Sequence, residues 1–137
     1  MNHRELEVPA DMEYLDQVMN LLESSLEEAE VEPQTAMKIC VSAEEIFTNI
    51  ASYAYDAEDG TAKVCCDISD DNSEVTVSFL DQGKQYNPLA KPDPDITLSV
   101  EERPIGGLGV YMTKKMMDDV SYEYRDGNNI LIFKKKV

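Results

Sequence analysis

The sequence predicts an α+β fold: a two-layer α/β sandwich with a mixed or antiparallel sheet and its helices on one face. Three observations lead there. Apolar residues recur at helical spacing in three separate stretches. Alternating runs rich in Val, Ile, Thr and Cys come in pairs split by short turns, the mark of hairpins rather than crossovers. The 137 residues, 42% of them hydrophobic, make about one domain, so helices and hairpins must share one core. Residues 1–137 are read as a single domain without internal repeats.

Residues 4–8 alternate polar and apolar and are stopped by Pro9, which gives a first strand. Asp11 then caps a helix whose apolar positions are Met12, Leu15, Val18, Met19, Leu22 and Leu26. Pro33, at a favourable first-turn position, opens a second helix running to about Tyr55. Its apolar side holds Met37, Cys40, Val41, Phe47, Ile50, Ala51 and Ala54. Glu58-Asp59-Gly60 reads as a turn. Strands follow over residues 61–68 and 74–80, joined by the turn residues Asp70-Asp71-Asn72-Ser73. From Lys84 to about residue 106 no periodicity survives, and Pro88, Pro92, Pro94 and Pro104 punctuate the stretch. A connection that long in a compact domain tends to be functional, and here it reads as a lid. Gly106-Gly107-Leu108-Gly109 leads into a third helix with Val110, Met112, Thr113, Met116 and Met117, ended by Asp118-Asp119. Residues 120–124 and 130–133 close the chain as a hairpin around Asp126-Gly127-Asn128-Asn129.

Charge narrows the function classes. The net charge is −16, and it is uneven. Residues 1–59 hold 15 Asp/Glu against 2 Lys/Arg, a balance of −13; residues 60–137 hold 13 against 10, a balance of −3. Binding to nucleic acid or to an anionic membrane needs clustered cations, so neither is expected as a direct partner. No apolar run approaches the ~20 residues of a spanning helix. The first residues lack the apolar core of a signal peptide, and a cytoplasmic location is expected. The acidic face of the first helix (Glu13, Asp16, Glu23, Glu27, Glu28, Glu30) is either solvated or a docking surface for a basic partner.

Cysteine usage fits a reducing compartment. Cys65 and Cys66 are adjacent in a strand and point to opposite faces, so with Cys40 they read as small, reduced hydrophobes. His3 is the single histidine. It lies near the start of the chain, where fraying is expected. That argues against a Cys/His zinc site and against Ser-His-Asp or Cys-His catalysis.

Three segments carry chemistry. In the second helix Glu45 and Asn49, four residues apart, share a face, and Tyr53 extends the stripe. The carboxylate can orient or deprotonate a hydroxyl, and the carboxamide oxygen can ligate Mg²⁺. Asp81-Gln82-Gly83 follows an apolar strand. An acceptor-only carboxylate there can take the exocyclic amine of an adenine, while Gly83 lets a flat ring approach the backbone. Gly106-Gly107-Leu108-Gly109 opens a helix, and exposed N–H groups at a positive helix end make an anion site. It is neither a Walker A loop, because no Gly-Lys-Ser/Thr follows, nor a dinucleotide fingerprint. Each segment alone has a plain alternative: a helix surface, a turn, a hinge. In this order they describe an ATP site with no Walker A loop.

On these residues the sequence resembles the GHKL (Bergerat-fold) ATPase superfamily. Glu45–Asn49 is similar to its N box, Asp81-Gln82-Gly83 to its G1 box and Gly106–Gly109 to its G2 box. The stretches VSAEEIFTNIASYAY and GGLGVYMTKKMMDDVSYEY resemble the anti-sigma-factor serine/threonine kinase branch. That resemblance implies a serine/threonine protein kinase using ATP and Mg²⁺. It implies partners too: a STAS-type anti-anti-sigma protein, a sigma factor and a second copy as homodimer. It implies Glu45 as general base, Asn49 as Mg²⁺ ligand, and Asp81 and Gly83 at the adenine. Gly106, Gly107, Leu108 and Gly109 would meet the phosphates, with Thr113 on the next turn lining the pocket. The chain departs from the pattern in three places. Gln85 replaces the second G1 glycine, and Tyr53 stands where many relatives carry His. Ile105 precedes the G2 glycines, where some relatives carry Arg, which leaves Arg103 and Lys84 as candidates to meet the transferring phosphoryl. The alternative reading is a nucleotide-gated protein-binding module without kinase activity.

Overall fold

In a computed structural model the chain folds into one sheet with helices packed against it. The structure describes residues 2–55, 60–90 and 108–137. The strands are β1 (Asn2–Pro9), β2 (Thr61–Ile68), β3 (Glu74–Asp81), β4 (Asp119–Arg125) and β5 (Asn128–Lys136). The helices are α1 (Leu15–Glu28), α2 (Pro33–Tyr53) and α3 (Leu108–Met116), with short 3-10 turns at Met12–Tyr14 and Pro88–Ala90.

Strand order is β1-β2-β3-β5-β4, and all four pairings are antiparallel. The two-layer α+β expectation holds, and of the two sheet types anticipated the antiparallel one is found. The outer strands are longer than their alternation suggested, because pairing extends them beyond the apolar residues. β1 therefore includes His3, opposite Asp67 of β2, so this histidine is held in a strand rather than frayed. Asp119 belongs to β4 instead of ending the third helix. Tyr55 lies beyond α2, whose last residue is Tyr53.

Local chemistry explains the boundaries. Asp11 accepts a hydrogen bond from the Glu13 N–H at 2.9 Å and starts a 3-10 turn that runs into α1. α1 ends with the Val31 N–H on the Leu26 carbonyl at 3.1 Å and Glu30 left-handed at φ 57°. Asp126 and Gly127, at φ 54° and 79°, form the two-residue turn between β4 and β5. Asp71 closes the β2–β3 turn by accepting from Ser69 and Ser73, which holds its carboxyl below the usual range.

The core lies between the helices and one sheet face. Val18, Leu22 and Leu26 of α1 and Ile39, Ala43, Ile46 and Phe47 of α2 are buried against Val64, Cys66, Val77, Phe79 and Phe133. Phe79 and Phe133 pack with ring centroids 6.1 Å apart. Alternation then sends Cys65, Ser78, Leu80, Ile130 and Ile132 to the other face, which no helix of the described residues covers. All three cysteines are free. Burial pushes the Cys40 and Cys66 thiols up to about 11.

Candidate nucleotide site

One end of α2, the ends of β3 and β5, and the loop after β3 enclose a cleft with an empty volume of about 460 Å³, part of it open solvent. Ile46, Ile50, Phe79 and Leu131 supply apolar walls; Asn49, Asp81, Lys84, Tyr122 and Asn129 bring polar groups to the same space. Apolar walls with a few converging polar groups suit a flat heteroaromatic ring that carries hydrogen-bonding edges.

Asp81 is the last residue of β3 and is buried, at 6% exposure. Alternation along β3 turns it to the helix side of the sheet with Val75, Val77 and Phe79. Its Oδ1 accepts from Asn129 Nδ2 at 3.0 Å and from the Gly83 N–H at 2.9 Å. Every hydrogen bond it makes to a described residue falls on Oδ1, so Oδ2 keeps its capacity to accept from a ligand.

Asn129 is the hub of the site. It sits opposite Asp81 in the β3–β5 ladder and is equally buried. Its Nδ2 also donates to the carbonyls of Lys84 at 2.9 Å and Gly83 at 3.4 Å. Its Oδ1 accepts from the Tyr86 N–H at 3.1 Å and from the Tyr122 hydroxyl. One carboxamide therefore fixes the Asp81 carboxylate, the loop behind it and a tyrosine on β4. Burial raises the Tyr122 hydroxyl above its ordinary value, so it remains a donor.

Two further ties seat the loop on α2. A Cβ built on Gly83 would lie 2.2 Å from the Ala54 carbonyl oxygen, and the Lys84 N–H donates to that oxygen at 2.9 Å. The close neighbour that requires glycine here is thus the end of the helix, a contact the sequence did not reveal. The Tyr55 hydroxyl donates to the Thr61 carbonyl at 2.6 Å and accepts from the Gln82 N–H at 2.7 Å. Partial burial raises its ionisation point, which keeps it protonated.

The sequence-predicted residues fall into three groups. Asn49, Asp81 and Lys84 line the cleft, and Gly83 shapes the loop beside it. Glu45 is half-buried one turn before Asn49 on α2 and does not line the cleft. Thr113 is fully buried on α3 and is not among the residues that line the cleft. Leu108 and Gly109 begin α3, and Tyr53 ends α2. Arg103, Gly106 and Gly107, with most of the expected lid, lie outside the described residues. Sequence reasoning missed Asn129, Tyr122, Tyr86 and Pro88. From the sequence Asn129 reads as a turn residue, and only the β3–β5 register sets it against Asp81.

Comparison with known proteins is decisive for the family. A family described as the histidine kinase-like ATPase domain matches residues 8–135. The chain belongs to that family. Among curated relatives of this ATPase domain, the serine-protein kinase RsbW of Bacillus cereus (strain AH187) is 33% identical over 100 residues, covering 72% of this chain and 61% of the relative. RsbW of Bacillus mycoides (strain KBAB4) is 33% identical over 102 residues with the same coverage. The chain thus spans about three-fifths of the length of these relatives. These likenesses support the anti-sigma kinase branch of the GHKL ATPases. The fold agrees with the crystal structure of the RsbU and RsbW domains of Rv1364c from Mycobacterium tuberculosis. The TM-score is 0.67 at 15% identity, over 98% of this chain and 32% of that one. No helix among the described residues is long and apolar enough to cross a membrane.

Proposed function

We propose that this ATPase domain is a serine/threonine protein kinase acting as an anti-sigma factor in the cytoplasm. Its substrate would be a serine or threonine of a STAS-type anti-anti-sigma protein, its regulated partner a sigma factor, and its assembly a homodimer. The observation that carries the reading is the cleft, where Asp81 and Asn49 converge in a chain whose relatives are named serine-protein kinases.

The adenine would sit between Ile50, Phe79 and Leu131, with its exocyclic amine on Asp81 Oδ2. The donor set fits Mg²⁺, a hard cation that keeps several waters and takes phosphate oxygens, so the Asn49 carboxamide oxygen suffices as a protein ligand. When bound, the ion would neutralise charge on the phosphates. Glu45, one turn earlier, would accept the proton of the attacking hydroxyl as the hydroxyl oxygen bonds to the γ-phosphorus and the bond from that phosphorus to the oxygen leaving with ADP breaks. Arg103 or Lys84 would meet the transferring group. Gly106, Gly107, Leu108 and Gly109 would present N–H groups to the phosphates from the end of the lid, with Thr113 supporting from inside α3.

The test mixes the protein with labelled ATP and a STAS partner encoded beside it. Transfer of label to the partner, lost on chelation of Mg²⁺ and in Glu45→Ala, is the expected result; Glu45→Ala should retain ATP binding. Tight ATP binding without transfer by the unaltered protein would instead identify a nucleotide-gated binding module. Equal loss of binding and transfer in Glu45→Ala would remove the base assignment. The exposed acids of α1, among them Asp16, Glu23 and Glu27, are proposed to face the basic partner. Its complex should then weaken steeply with salt.

A further inference from the structure

A second constellation lies far from the cleft, on the outer face of the β1–β2 pair. His3 and Asp67 are direct partners in the register, and Glu5 and Cys65 are the next pair on that face. The ligand atoms of His3, Glu5 and Cys65 all lie within 4.8 Å of one another. His3 Nε2 is 3.3 Å from Glu5 Oε2, and Cys65 Sγ is 3.9 Å from the same oxygen. A tetrahedral zinc ion with ordinary Zn–N, Zn–O and Zn–S bonds sets its ligand edges at roughly 3.3 Å for N to O and roughly 3.5 Å for O to S. The N to O edge matches that value, the O to S edge is somewhat longer, and the His3–Cys65 pair, within 4.8 Å, would close by a side-chain movement.

The surroundings reinforce the match. His3 Nδ1 is hydrogen-bonded to the Asp67 carboxylate, which leaves Nε2 facing Glu5 and Cys65. A metal-bound imidazole almost always donates its other N–H to a carboxylate, a backbone carbonyl or water, which fixes the ring and raises its basicity; here that partner is the Asp67 carboxylate. The His3 and Glu5 side chains are about half exposed, at 48% and 49%, so an ion can reach them, while Cys65 forms a floor at 8%. The cluster already holds a cation: Lys63 Nζ is 3.0 Å from Glu5 Oε2.

The geometry points to a site for a thiophilic divalent cation of the zinc class, bound by His3 Nε2, a Glu5 carboxylate oxygen and Cys65 Sγ, with water in the fourth position. On binding, Cys65 gives up its thiol proton and His3 its Nε2 proton to solvent, and Lys63 leaves Glu5. Three ligands of three kinds escape a search for repeated Cys and His, which is why the lone histidine argued against zinc in the sequence. The site would tie β1 to β2 and is independent of the nucleotide reading.

Cobalt(II) is the probe, added to the untagged, nucleotide-free full chain kept reduced by a phosphine. The expected result is one cobalt per chain with a thiolate-to-cobalt charge-transfer band in the near ultraviolet, bleached by added zinc. Cys65→Ser should abolish the band. His3→Gln, a change at an exposed position that leaves the fold intact, should weaken cobalt affinity at least about tenfold, and Asp67→Asn by about tenfold. Lys63→Ala should tighten binding by removing the competing ammonium. Absence of the band, its survival in Cys65→Ser, or its loss in Cys40→Ser would each overturn the assignment.

Discussion

The cleft and the outer face of β1–β2 hold similar side chains in opposite settings. At the cleft, Asp81 and Asn129 are buried on the helix side of the sheet, and their bonds also fasten backbone groups of the loop after β3. On the outer face, His3 and Lys63 both pair with Glu5 while these side chains stay roughly half exposed to water. A buried network is costly to break, because each orphaned group loses water as well as its partner. An exposed one exchanges partners freely, and surface ion pairs contribute little. The first arrangement suits a site that must be preformed; the second suits one that can accept a cation.

Four substitutions or measurements can break or sharpen that contrast. The largest expected effect is Asn129→Ala. It removes one of the two donors to Asp81 Oδ1, the side-chain donor to the Gly83 and Lys84 carbonyls, and the acceptor of the Tyr86 N–H and the Tyr122 hydroxyl, and should cost about 2–4 kcal/mol in urea unfolding. A loss below 1 kcal/mol would show that the loop is held by other means. Next is Gly83→Ala, whose Cβ would meet backbone of Ala54 rather than a movable side chain. Overpacking of this kind should cost about 1–3 kcal/mol and displace the loop, weakening nucleotide binding with it. Smaller is Lys63→Ala on the outer face, expected to change stability by less than about 1 kcal/mol. If it matched Asn129→Ala, the contrast between the two regions would collapse.

The smallest effect is chemical rather than energetic. Cys66, facing the core, has its thiol pushed up to about 11 by burial, so its thiolate fraction at neutral pH is on the order of one in ten thousand. Alkylation of the folded protein near pH 7 should therefore spare Cys66 and proceed only after unfolding. Rapid modification in the folded state would place it outside the core.

These contrasts also show what the sequence could express. Element types were legible because local patterns report them: helical spacing around Leu22 and Phe47, alternation around Val64 and Val77, turn chemistry at Asp71 and Asp126. The faces of Cys65 and Cys66 followed from the same alternation. Pairing register was not legible, since nothing near Asn129 in the chain indicates that Asp81, 48 residues earlier, will lie opposite it. The demand for glycine at position 83 was visible, while its source in Ala54 depends on where α2 ends against β3. Thr113 was placed correctly on its helix, but burial within α3 is set by tertiary packing. His3 reads as frayed from its place near the chain start, and only strand pairing with Asp67 shows that it is held.

The central claim is that the cleft reads adenine through Asp81, and two nucleotides that differ at the six position of the purine test it directly. ATP presents an amine there, a donor for Asp81 Oδ2; inosine triphosphate presents an oxygen that would face the carboxylate. Titration calorimetry on the unaltered protein should show ATP binding about tenfold to a hundredfold more tightly. The preference should vanish in Asp81→Asn, whose retained oxygen can still accept from Asn129 and Gly83. Equal affinity for the two nucleotides in the unaltered protein, or a preference undiminished in Asp81→Asn, would contradict the account.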